Sequence, residues 1–201
     1  MKKLLLLLSF AIFASCNLPS YVFENKGQTT GLDLTSGKWL LNRIDAPHSV
    51  QDQLTNLAEE DLKKILGDKL ALTYQTKGLL LPQKIAFNLS QGEMRKIKQR
   101  TGFDYFINIR AGEVKNDMGS IDFTAGKRIS GKENSGEAAI EIYDLNRELV
   151  IYSQKVTGTT GGKDDGQDVH LSKTSASLAV GAFKKLMKDF KNRSVLTDTR
   201  I

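Results

Sequence analysis

The sequence predicts an α/β fold, a small mixed or antiparallel sheet packed with about three helices, and three observations carry that expectation. Residues 50–66 and 178–190 place apolar side chains at helical spacing. Ser90 and Glu93 form a capping box ahead of a short helix that Gly102 closes. Residues 103–110, 138–143 and 148–156 are rich in aromatic and β-branched side chains, as strands require. The chain has 201 residues, of which 40% are hydrophobic and 26% charged, with nine Phe, five Tyr and one Trp. That is enough apolar material for one ordinary domain and too much for a disordered chain. A single Cys excludes an intrachain disulfide, and two His leave no material for a His-based zinc cage.

The chain opens with a basic pair, Lys2 and Lys3, followed by an apolar run from Leu4 to Phe13 broken only by Ser9, and then the small residues Ala14 and Ser15 before Cys16. A run of about ten residues is half of what a membrane-spanning helix needs. The sequence Phe13-Ala14-Ser15-Cys16 resembles the lipobox of bacterial lipoproteins, with Phe13 where Leu is usual. That resemblance implies a signal peptide over 1–15, its removal, and lipidation of Cys16. Removal takes fifteen residues with Lys2 and Lys3, lowering the formal net charge from +6 to +4. Such an excess is too small and too scattered for nucleic-acid binding. Asn17 and the lack of a following acidic cluster fit the periplasmic face of the outer membrane, with inner-membrane anchoring as the alternative. Residues 16–37 shift to Asn, Gly, Ser and Thr and read as the lipidated Cys and a flexible tether. Leu18, Tyr21, Val22 and Phe23 could instead pack on the domain edge.

A single domain is expected over 38–192, with 193–201 as a tail. Lys38 to Ile44 form a β-like run ended by Pro47. Ser49 as N-cap, with Asp52 three residues on, opens a helix in which Val50, Leu54, Leu57, Ala58, Leu62, Ile65 and Leu66 recur on one face up to Gly67. Leu70 to Tyr74 and Gly78 to Phe87 are strand-like, although Pro82 confines the second to an edge or a loop. The capped helix runs from Ser90 to Arg100, and Phe103 to Arg110 form a buried strand. Residues Lys115 to Glu137 are a polar excursion, a long loop or a protruding hairpin. Ala138 to Tyr143 and Glu148 to Val156 pair as a hairpin through Asp144-Leu145-Asn146-Arg147, whose Asp and Asn favour turns. A last helix spans about Ser172 to Lys191. Its Leu178, Ala179, Ala182, Phe183, Leu186, Met187 and Phe190 share about half the circumference, and Lys184, Lys185, Lys188 and Lys191 occupy the other half.

This order resembles the periplasmic lipoproteins whose fold is shared with the TolB amino-terminal domain. The resemblance rests on the lipobox, on a helix leading through Gly102 into Phe103-Asp104-Tyr105-Phe106-Ile107-Asn108-Ile109, and on the hairpin from Ile140 to Tyr152 with its closing helix. That group includes the curli-secretion lipoprotein and the lipoprotein activators of penicillin-binding proteins. It covers residues 38 to 192 and implies partner binding or assembly at the cell envelope, with no catalytic residues to carry over.

Catalytic readings find little support. Gly158 to Asp164 lacks the first Gly of a phosphate loop, where Thr157 stands, and puts Asp164 where Ser or Thr must reach magnesium. Asp164, Asp165 and Asp168 are crowded by Gly166 and lack a closing Glu, so a solvated turn is expected rather than a calcium loop. His48 and His170 stand at helix entrances with no accompanying nucleophile. Tyr105, Phe106, Tyr143 and Tyr152 fit core or cross-strand positions better than a stacking platform. No cofactor or metal is expected.

The expected function is therefore that of a membrane-anchored periplasmic lipoprotein, not an enzyme, acting as a binding or assembly module in an envelope complex. It would be held to the membrane through its lipid, with an envelope protein or a second copy as partner. A structural subunit of an oligomer and an exported enzyme are the alternatives. The candidate binding residues are Lys184, Lys185, Lys188 and Lys191, together with the polar excursion from Lys115 to Glu137. The lysines could meet either an acidic partner or anionic lipid.

Overall fold

The computed structural model describes residues 19–24, 32–82, 85–114, 134–160 and 174–195. Cys16 and the signal segment, most of the polar excursion (115–133), the stretch from 161 through His170, and residues 196–201 lie outside the described residues. A six-stranded mixed sheet runs in the order β1-β7-β6-β5-β3-β4. Its strands are β1 (Ser20–Glu24), β3 (Trp39–Leu41), β4 (Leu70–Leu72), β5 (Tyr105–Glu113), β6 (Ser135–Asp144) and β7 (Leu149–Thr159). Three helices accompany it: α1 (His48–Leu66), α2 (Gln91–Thr101) and α3 (Ser175–Arg193). The pairs β1/β7, β7/β6 and β6/β5 are antiparallel, and β5/β3 and β3/β4 are parallel. The sheet is therefore mixed, and the expected α/β class holds.

Alternation along the strands divides the core in two. Trp39, Leu41, Ile107, Ile109, Ile140, Ile142 and Tyr152 face α1 and α3, which answer with Leu54, Ala58, Leu62, Phe183, Leu186 and Phe190. Each large side chain fully buried here contributes roughly 1.5–3 kcal/mol. Leu40, Phe106 and Tyr143 point the other way, against Met94 and Ile97 of α2 and against Leu89. The expected capping box forms in full: the Glu93 amide donates to the Ser90 hydroxyl while the Glu93 carboxylate accepts from the Ser90 amide at 2.8 Å. Gly102 ends α2 at φ 71°, a left-handed position that suits a residue without Cβ. Asp104 then ties three elements together. Its carboxylate accepts from Lys98 Nζ and the Lys38 amide, at 2.8 and 2.9 Å, and from the Asn146 side chain at 3.1 Å in the β6–β7 turn.

Four expectations need correction. Residues 20–24 of the expected tether form β1, paired with β7 from Ser20↔Thr159 to Glu24↔Lys155, and Leu32 and Leu34 are buried in the main core. A five-residue edge strand carries too short an alternation to stand out from a polar segment. The expected tail also contributes, since β8 (Ser194–Val195) pairs in parallel with β2 (Leu32–Asp33). Helix α1 begins one residue before Ser49, with Pro47 in the N-cap place and its carbonyl accepting from the Val50 and Gln51 amides at 3.0 Å. No side chain caps this start. Finally, the described residues of 78–87 pair in no strand. Leu79, Leu81 and Ile85 instead pack on the α2 side of the sheet. Their apolar character comes from covering a face, which periodicity alone cannot distinguish from pairing within one.

Candidate functional site

Helix α3 lies across β6 and β7 at unusually short range. A Cβ on Gly136 would stand 2.4 Å from the Ala179 backbone nitrogen and 2.5 Å from the Ser175 backbone oxygen. Its far end is fixed by Asp189, which accepts from Tyr152 Oη at 3.2 Å and from Arg193 Nε at 2.8 Å. Burial, then the Asp189 charge, pushes the Tyr152 hydroxyl well above its ordinary range. With its apolar half committed to the core, α3 turns Lys184, Lys185, Lys188 and Lys191 to solvent, all exposed.

Beside that face, α1 and α3 leave a groove of about 480 Å³. Leu57, Ile65 and Met187 form its apolar floor, and Lys64, Lys184, Lys188 and Lys191 line its rim with Asp61 as the one acid among the described lining residues. Lys64 was not among the residues singled out from the sequence. It lies on a different helix, 120 positions from Lys184, so only the α1–α3 contact makes the two neighbours. Lys185 departs from the group: its ammonium sits 5.8 Å from the Tyr21 ring, on the β1 side of α3. Of the four lysines expected to act together, three share the groove. Chemically, this is a cationic rim around an apolar slot, complementary to an acidic segment with apolar side chains.

A second cluster, absent from the sequence reading, lies on the opposite side of the sheet. Glu141 is buried, with 6% exposure. Its carboxylate accepts from the Asn88 amide at 2.8 Å and from the Tyr143 hydroxyl. Asn108 donates to the carbonyls of Ile85 and Ala86 at 3.2 and 3.0 Å and accepts from Asn42 at 3.0 Å. Burial and the Glu141 hydrogen bond push the Tyr143 hydroxyl well above its ordinary range. These contacts staple residues 85–89 to the sheet, which leaves Glu141 occupied by structure. A polar residue inside an apolar strand, as in Phe106-Ile107-Asn108-Ile109, was the signal available in the sequence.

His48 lies exposed in the first turn of α1, on an open hollow shared with Arg43, Asp45 and Gln51. Phe106, Tyr143 and Tyr152 are buried, and Tyr105 stacks on Trp39 with ring centroids 4.1 Å apart, so the four aromatics form no shared platform. Among the described residues, no group of three or more His, Cys, Asp or Glu could hold a metal ion, and no helix is long and apolar enough to cross a membrane.

No protein-family model and no curated protein matches this chain. Among solved structures, it is similar to the PelC dodecamer from Paraburkholderia phytofirmans, at 12% identity and a TM-score of 0.42 over 85% of this chain and 95% of that one. A lipoprotein from Neisseria meningitidis is similar at 10% identity and a TM-score of 0.39, over 77% and 99% of the two chains. The E. coli protein LpoB is similar at 14% identity and a TM-score of 0.34, over 68% and 60%. Likenesses this distant transfer neither a partner nor a role.

Proposed function

We propose that this chain is a membrane-anchored periplasmic lipoprotein that acts by binding rather than catalysis, as a docking or assembly module in a cell-envelope complex. Its lipid is carried by Cys16, and its partner presents an acidic, amphipathic segment to the α1–α3 groove. The observation that carries this reading is the groove itself, an apolar floor of Leu57, Ile65 and Met187 under four lysines and a single acid. Charge complementarity selects the occupant: four ammonium groups favour carboxylates, and the floor offers apolar area to bury. The lipobox-like Phe13-Ala14-Ser15-Cys16 supports the anchor, and the order of elements supports the resemblance to the TolB-like envelope lipoproteins.

The two halves of the proposal are tested separately. Cys16→Ala is expected to abolish palmitate incorporation in cells, and undiminished labelling refutes the anchor. For the groove, the probe is a fluorescent amphipathic peptide with a Glu face and a Leu face. Its affinity should fall with added salt and drop about tenfold or more in the triple variant Lys184→Glu, Lys188→Glu, Lys191→Glu, while Lys96→Glu, at an exposed position of α2 on the opposite side of the sheet, leaves it unchanged. Equal affinity for the triple variant and the unmodified protein refutes the groove.

A further inference from the structure

The row that α1 presents to the groove is broken at its centre. Leu57, Asp61 and Ile65 follow one another at intervals of four residues, about 6 Å apart along the helix axis. The outer two are partly buried apolar side chains packed on the main core, and Asp61 between them is half-buried. A third apolar residue would have made this a continuous stripe like Leu54, Ala58 and Leu62 beside it, all fully buried. Across the groove, α3 supplies Lys184, Lys188 and Lys191, spread over about 10 Å of helix.

Asp61 is also without an ionic partner among the described residues. Glu59, two positions earlier, takes Lys63 at 2.7 Å, and Asp189 on α3 takes Arg193 at 2.8 Å. Lys64 stands three positions beyond Asp61, a spacing at which helix side chains can meet. No ion pair joins them, and none joins Asp61 to the lysines of α3. In the open groove solvent hydrates this carboxylate. A segment that covers Leu57 and Ile65 strips that hydration away, and a carboxylate left unpaired beneath it would offset the apolar contact on either side.

We propose that Asp61 selects what the groove accepts: an acidic amphipathic helix that carries one Lys or Arg between two apolar residues of its buried row. This deepens the groove reading above and rests on it. A helix laid between two helices presents its own i, i+4, i+8 row to theirs at the same spacing of about 6 Å. Its middle side chain therefore meets Asp61 when the outer two meet Leu57 and Ile65. Carboxylates on the flank toward α3 meet Lys184, Lys188 and Lys191. The cation fixes the register, because sliding the segment by one turn sets an apolar side chain against Asp61 and the cation against Leu57 or Ile65. It also disfavours a uniformly acidic segment, which the lysine rim alone would prefer.

Two fluorescent helical peptides test this by anisotropy against the full-length protein. They share Leu at the outer two positions of the row and a Glu flank, and they differ only at the middle position, Lys in one and Glu in the other. The Lys-centred peptide should bind about tenfold more tightly, against the order that net charge predicts. Asp61→Asn, which keeps the side-chain shape, should remove that preference. It should still bind the Glu-centred peptide at least as well as the unmodified protein does, which shows that the variant is folded. Glu60→Gln removes the same charge from an exposed position of α1 outside the described lining of the groove, and should keep the preference. Equal or tighter binding of the Glu-centred peptide by the unmodified protein overturns the proposal, as does a preference that survives Asp61→Asn or disappears in Glu60→Gln. If the triple variant Lys184→Glu, Lys188→Glu, Lys191→Glu weakens neither peptide, the groove and this inference fail together. If it weakens both while Asp61→Asn leaves the preference intact, the inference alone fails.

Discussion

Replacing Gly136 by Ala tests the close seating of α3 on the sheet. The added Cβ would lie 2.4 Å from the Ala179 nitrogen, 2.5 Å from the Ser175 oxygen and 2.9 Å from the Leu178 carbonyl carbon, where ordinary contact begins at 3.4 Å. All three atoms are helix backbone, so no side-chain rotation relieves the clash, and the first turns of α3 must retreat by about 1 Å. That retreat loosens Leu178, Ala179, Ala182 and Phe183, all buried. Overpacking of this kind costs about 1–3 kcal/mol, and the upper part of that range applies because backbone must move. Replacing glycine in a strand returns about 0.5–1 kcal/mol. The net loss is about 2 kcal/mol, which in a chain of this size lowers Tm by about 4–8 °C. Gly112→Ala is the control, because its Cβ meets nothing within 4 Å on the neighbouring strand β5. Thermal unfolding followed by circular dichroism compares the two. If both variants melt together, α3 does not sit on Gly136 as described.

Two further outcomes follow from particular contacts. Leu186 is fully buried while Lys188 on the same helix is exposed, so Leu186→Asp should cost at least about 3 kcal/mol and Lys188→Glu well under 1; denaturant unfolding that finds them equal refutes the facing of α3. The Lys98 ammonium, the Lys38 amide and the Asn146 side chain lower the Asp104 pKa to about 2. A carboxylate whose folded pKa is depressed adds stability that is present above its unfolded value near 4 and lost as pH falls toward 2. Asp104→Asn should therefore be less stable at pH 7 and lose less of its remaining stability between pH 4 and pH 2, and parallel acid-unfolding curves would contradict this.

The helices and the hairpin were legible in the sequence because their signals are local. The apolar repeat of α1 and α3, the Ser90–Glu93 box, the left-handed Gly102 and the Asp-Leu-Asn-Arg turn each act within a few residues, and the structure places each within two or three residues of its expected position. The lysines of α3 were found for the same reason, since one periodicity both buries Leu186 and exposes Lys188. Three features depended on contacts between distant residues. Ser20–Glu24 became a strand because β7 offered a free edge and Gly158 and Gly181 left room for Tyr21. The groove exists because α1 and α3 pack side by side, bringing Lys64 to Lys188. Glu141 is satisfied only where the 85–89 segment crosses the sheet. Local hydrogen bonding and periodicity determined the elements, whereas edge pairing, helix docking and the satisfaction of buried polar groups were decided when the tertiary structure closed.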